Sequence, residues 1–150
     1  MPHNAHDAYL ESRILSADPM ELISLLYQKA ISEVREARRH LAAKDIRARS
    51  KCITKAHDVL AELTIALDRK RGGQIAENLA KLYDYMMRRI TEANFKQIDA
   101  PLAETLGLLS TLQEGWDGAR QQMKPVAPER AAWAQPPMQD AVVTSQGWSF

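Results

Sequence analysis

"GGQIAENLAKLYDYMMRRITEAN", residues 72–94, decides the fold. Two glycines break whatever precedes them, and no Gly or Pro follows in the rest of the stretch. Stepping ~100° per residue from Ile75 places Leu79, Leu82, Met86, Ile90 and Ala93 in one stripe, the expected core face. Ala76, Ala80, Tyr83 and Met87 widen the apolar arc on one side and Tyr85 on the other. The arc reaches roughly 220°, against the ≳100° that a surface helix needs. A helix this apolar needs cover from more than one direction.

The segment before it shows the same excess. Asp45 reads as an N-cap, and a helix runs from it to about Asp68. Ile46, Ile53, Ala56, His57, Leu60, Leu63, Thr64 and Leu67 share its expected core face. Ala48, Cys52, Val59 and Ala66 flank that face. Upstream, Asp18-Pro19-Met20-Glu21 marks another helix start, with Asp18 as cap, Pro19 in the first turn and Glu21 completing a capping-box-like pair. That helix runs to about Ala43 with Ile23, Leu26, Tyr27, Ala30, Ile31, Val34, Ala37 and Leu41 on one face. Asp99 and Pro101 open a fourth helix, whose Leu102, Leu106, Leu109, Leu112 and Trp116 form a stripe that fades near Gln122.

Four long helices joined by short turns must largely alternate in direction. The expected fold is all-α, an antiparallel four-helix bundle over residues 18–122. Residues 1–17 read as a short N-terminal segment with apolar beads at Tyr9-Leu10 and Ile14-Leu15. Residues 123–150 contain Pro125, Pro128, Pro136 and Pro137 and no helical period, which predicts a mostly disordered, flexible tail. Trp133, Trp148 and Phe150 are candidate short-motif anchors within it.

Composition narrows the function. The net charge of +1 gives no global pull toward nucleic acid or acidic partners. The single cysteine, Cys52, excludes an internal disulfide and fits a reducing compartment. No secretory pattern and no apolar run of ~20 residues appears, so a protein of the cytosol without a membrane-inserted segment is expected. His3, His6, His40 and His57 have no metal-ligand spacing, no catalytic pattern stands out, and Gly72-Gly73 lacks the surroundings of a phosphate loop. No catalytic, cofactor or metal residue is assigned, and no enzyme activity is expected. Lys51 and Lys55 beside Cys52 would favour its thiolate, but a small semi-buried side chain is the simpler reading. Residues 35–55 are the one basic concentration, with Arg35, Arg38, Arg39, Lys44, Arg47, Arg49, Lys51 and Lys55. They suit an anionic ligand or a solvated bundle end. No aromatics interleave, so nucleic acid is not expected.

The apolar excess leaves three kinds of cover: a further segment of this chain, a second copy, or an amphipathic helix of another protein. Here a resemblance bears on the choice. "LYDYMMRRITEAN" resembles the signature of the bacterial flagellar secretion chaperones that escort flagellin. "YLESRILSADPMELISLLYQKAI", "KAHDVLAELTIALD" and "GGQIAENLAKLYDYM" are similar to that family in order and spacing, from Tyr9 to Trp116. The resemblance implies a cytoplasmic export chaperone. It would bind the C-terminal region of flagellin, prevent its premature polymerisation and deliver it to the flagellar type III export gate. It also implies that Tyr9 takes part in docking to the gate. Under this reading Val59, Ala66, Ala76, Ala80, Tyr83 and Met87 are expected to line the client surface. Tyr9, Ile14 and Leu15 are expected to cap a groove or meet the gate. The alternative is a self-associating helical bundle, a homodimer when free, that uses the same apolar surface.

Overall fold

The computed structural model describes residues 5–16 and 18–123. The expected flexible tail, with Trp133, Trp148 and Phe150, lies outside the described residues beyond Met123. The described residues are helical throughout apart from short turns. Five helices form among the described residues: α1 (Ala5–Ser16), α2 (Pro19–Ala42), α3 (Ile46–Ile65), α4 (Arg69–Lys96) and α5 (Ala100–Met123). The described residues up to Asp117 pack as one unit, and α5 continues beyond it.

The all-α expectation holds, but the count of four is corrected to five. The N-terminal segment is itself a helix. Leu10 and Ile14, one turn apart, give α1 a narrow apolar edge, with Leu10 buried and Ile14 packed against the core. Two core residues in a twelve-residue helix are too few to register as a periodic pattern in sequence.

Helix starts follow local chemistry. Asp18 accepts from the Glu21 backbone N–H at 2.8 Å, Asp45 from that of Ala48 at 3.0 Å, and Asp68 from that of Arg71 at 3.0 Å. The capping box at Asp18 forms by half, because the Glu21 carboxylate pairs with Arg13 of α1. Lys44 and Gln97 end α2 and α4 in the left-handed region, at φ 61° and 58°. Backbone bonds from Asp45 N–H to His40 and from Ile98 N–H to Ala93 close both turns. The Gly72-Gly73 break is real within α4. Gly73 has φ 51° and ψ −128°, and a Cβ on Gly72 would lie 2.7 Å from that of Ala76.

α2 is the central helix. It contacts α1 and α3, and its two ends are tied to α5. Trp116 Nε1–H donates to the Met20 carbonyl at 3.2 Å and Ser24 to Asp117 at 2.8 Å, while Arg38 makes a two-pronged bond to Asp99 at 2.8 and 2.9 Å. Early α2 therefore meets late α5, and late α2 meets early α5, so the two run in opposite directions. α4 joins through Arg49 and Asn94, 2.8 Å apart, and through Arg89 and Tyr85 to Glu104, each at 2.7 Å.

The core collects Leu26, Tyr27, Ala30 and Val34 of α2, Ile53, Ala56, Val59, Leu60 and Leu63 of α3, Tyr83, Met86, Ile90 and Ala93 of α4, and Leu102 and Leu109 of α5. Two expected core faces are rotated. On α4, Ile75 is 71% exposed while Ala76 and Tyr83 are buried. On α3, Ile46 and His57 are exposed while Ala48, Cys52 and Val59 are buried. The cause on α4 is a polar pair at the centre of the core. The Tyr27 and Tyr83 hydroxyls lie 2.5 Å apart, with ring centroids at 6.5 Å.

Replacing either tyrosine by phenylalanine orphans the other hydroxyl in a buried site, at an expected cost of about 1–3 kcal/mol. Replacing both should cost much less than the sum of the two. Urea denaturation of Tyr27→Phe, Tyr83→Phe and the double variant measures the coupling; additive losses would mean that the pair does not interlock the helices.

Candidate functional site

The site is built around α1. Besides Leu10 and Ile14, α1 is fastened by the Arg13–Glu21 ion pair. Arg13 also donates to the Tyr9 hydroxyl at 2.7 Å, and its guanidinium lies 5.7 Å from the Tyr9 ring centroid. Tyr9 and Leu15 remain 56% and 89% exposed. The same short helix therefore buries one edge and presents an aromatic and an aliphatic side chain to solvent.

Beside α1 opens a cavity of about 880 Å³. Ile14 and Leu15 of α1, Leu22 and Leu26 of α2, and Val59 and Ala61 of α3 form its apolar lining. Glu11, Asp58, Glu62, Lys29 and Lys55 complete the lining. A lining of aliphatic side chains with charges of both signs suits an amphipathic helix. Beyond Ala61 on α3, Ile65 is 77% exposed and Ala66 is open to solvent.

The residues expected to form the site divide into two groups. Val59, Ile14 and Leu15 meet around this one cavity. Tyr9, Ala66, Ala76, Ala80, Tyr83 and Met87 do not line it. Of these, Ala76 and Tyr83 are core residues, whereas Ala80 and Met87 are half-buried on α4. Val59 is also mostly covered. The side chains still accessible are thus Ala66, Ala80, Met87, Tyr9 and Leu15, joined by Ile65 and Ile75. Leu22 and Ala61 were absent from the sequence-based site. Leu22 stands one turn before Leu26, and that four-residue spacing was the available signal.

Glu33 was missed altogether. It lies on α2 and is 3% exposed. Its Oε2 has no hydrogen-bond partner, and Lys29 Nζ stands 3.9 Å away. Burial raises its pKa above the ordinary glutamate value; Asp7 of α1 adds to this, and Lys55, Lys29 and the Cys52 thiol oppose it. Cys52 itself is pushed up to about 12 by burial and then by Glu33, which outweigh the opposing charge of Lys55. A buried neutral thiol, rather than a reactive thiolate, occupies this position. Glu33 gave no signal in sequence, since a single acid between Ser32 and Val34 reads as a surface residue.

Comparison with known proteins follows the same helices. The family described as Flagellar protein FliS matches residues 2–123. The flagellar secretion chaperone FliS of Salmonella typhimurium is 39% identical over 108 residues, spanning 71% of this chain and 80% of that protein. FliSB of Pseudomonas aeruginosa, with the same descriptive name, is 37% identical over 109 residues, 73% of this chain and 86% of its own. FliS of Bacillus subtilis is 29% identical over 118 residues, covering 79% and 87%.

Because the Glu33 pKa is raised on folding, the folded chain binds more protons than the unfolded chain. This group's effect on stability is therefore absent at low pH. It becomes destabilising as pH rises from the ordinary glutamate range to the raised value. Glu33→Leu should gain about 1–2 kcal/mol at neutral pH, and the gain should shrink as the solution is acidified. Chemical denaturation across pH tests it; a variant less stable at every pH would mean that Lys29 and Lys55 more than compensate the buried carboxyl.

Proposed function

The chain belongs to the FliS family of flagellar proteins, and on that premise we propose that it is a cytoplasmic export chaperone for flagellin. It binds flagellin's C-terminal region, keeps that region from polymerising and presents it to the flagellar type III export gate. In this reading α2 to α5 form an antiparallel four-helix bundle and α1 is a detachable fifth helix. The function is one of binding, with no chemical step.

The observation that carries the reading is α1 itself. It is an amphipathic helix of this chain resting on α2 beside an apolar cavity, and it leaves Tyr9 and Leu15 uncovered. A client helix of the same chemistry competes for the same ground. The hold on α1 is weak. Burying Leu10 and Ile14 contributes roughly 1.5–3 kcal/mol each at most. The Arg13–Glu21 pair, whose side chains are 41% and 27% exposed, adds about 1 kcal/mol or less. The loss of backbone freedom on ordering α1 opposes this. Displacement by a longer apolar segment then releases α1, with its already exposed Tyr9, for the gate. Ala66, Ala80 and Met87 supply further contact, and the methionine adapts to differing partners. Val59, Ala76 and Tyr83 contribute where the helices part around the client.

A flagellin C-terminal peptide titrated into the full chain should give a negative heat-capacity change, with more helix than the sum of the parts. Binding without added helix, or none at all, overturns the reading. A dimer that ignores the peptide establishes the self-association alternative. Ala80→Glu should weaken the complex about tenfold or more without altering the melting curve; unchanged affinity removes that face of α4. Deleting residues 1–17 should raise apolar dye binding and leave client affinity equal or tighter. A weaker complex would make α1 a direct clamp.

A further inference from the structure

Two turns at the far end of the molecule carry side chains that neither the core nor the α1 cavity uses. The α2–α3 turn holds Lys44 and leads into Ile46 and Arg47. The α4–α5 turn is flanked by Phe95 and Ile98. Arg49 and Ser50 both bond to the Asn94 side chain, at 2.8 and 3.2 Å, and Arg38 holds Asp99, so the two turns lie at one end. Ile46 is 56% exposed, Phe95 85% and Ile98 40%. Exposed phenylalanine beside two exposed isoleucines is an apolar surface without a role in folding.

The charges around it are unbalanced. Asp45 is engaged in capping α3, both Asp99 oxygens are taken by Arg38, and Glu92 is shared by Arg89 and Lys96. Lys44, Arg47 and Lys51 are exposed and form no ion pair among the described residues. The acids are spent locally and three cations are left over.

We propose that this end is a peripheral docking surface for an anionic lipid bilayer. Apolar side chains standing out from two helix ends settle at the headgroup level while uncompensated lysine and arginine meet lipid phosphates, with no segment crossing the membrane. Nine residues at ~1.5 Å, about 14 Å along α3, separate Ile46 from Lys55, the first α3 residue that lines the α1 cavity, and no residue of this surface lines that cavity. The surface therefore stands or falls independently of the client reading.

Flotation of the full chain with vesicles of phosphatidylglycerol and phosphatidylcholine in equal parts should carry the protein upward at low salt. High salt or phosphatidylcholine alone should not. Phe95→Ser with Ile98→Ser, and separately Lys44→Glu with Arg47→Glu, should each lower the bound fraction about tenfold. All these positions are exposed, and unchanged melting would show that both variants fold. No flotation with the anionic vesicles, equal flotation with neutral ones, or variants that float like the parent would overturn the proposal. So would binding of an alternating Glu-Leu peptide at these residues without vesicle binding, which would assign the surface to an acidic protein segment.

Discussion

Two phenol hydroxyls facing each other inside an aliphatic core fix the register of this molecule. Tyr27 and Tyr83 are each almost wholly buried, and burial raises both pKa values, so both stay protonated and neutral. One donates to the other at 2.5 Å. Sliding α4 by one residue would turn Tyr83 by ~100° and leave both groups unpaired. Apolar contacts alone would tolerate such a slip, because almost every face of α4 has something apolar to offer. The polar pair removes that freedom.

With Tyr83 pointed inward, the remainder of α4 follows. Ala76, Met86 and Ile90 come to the core at helical spacing, Ile75 is turned out, and Ala80 and Met87 fall at the edge. The hydroxyl pair thereby decides which part of the over-wide apolar arc stays available for a partner. The same logic acts on α3. There the presence of neighbouring helices absorbs Ala48, Cys52 and Val59, and the apolar surface left over shifts toward Ile65 and Ala66.

This explains what could be read in the sequence. Helix starts at Asp18 and Asp45 were legible because a cap is made by a side chain and a backbone N–H three residues away. Gly73 was legible because its φ of 51° is one that other residues rarely adopt. The rotation of α4 was not legible, since a helix apolar over more than half its circumference has no unique centre. α1 was not legible because its stability comes from docking: Leu10, Ile14 and Arg13 mean little until Glu21 and the core are in place. The resemblance reached the family by motif, but it could not say which of the six expected client residues are accessible. Three of them, Val59, Ala76 and Tyr83, belong to the core as the free chain stands.

The weak hold on α1 has a quantitative consequence. A client that binds only when α1 has left sees its affinity lowered by the fraction of molecules with α1 released. A docking preference of about 1.4 kcal/mol lowers apparent affinity about tenfold. Glu33 acts on that preference directly. It is buried on α2 with one oxygen that makes no hydrogen bond, and Asp7 of α1 adds like charge. A leucine there would hold α1 and the bundle more tightly together, and the client would have to overcome more. If α1 is the cover that a client displaces, a buried carboxyl that Asp7 of α1 repels would ease that displacement.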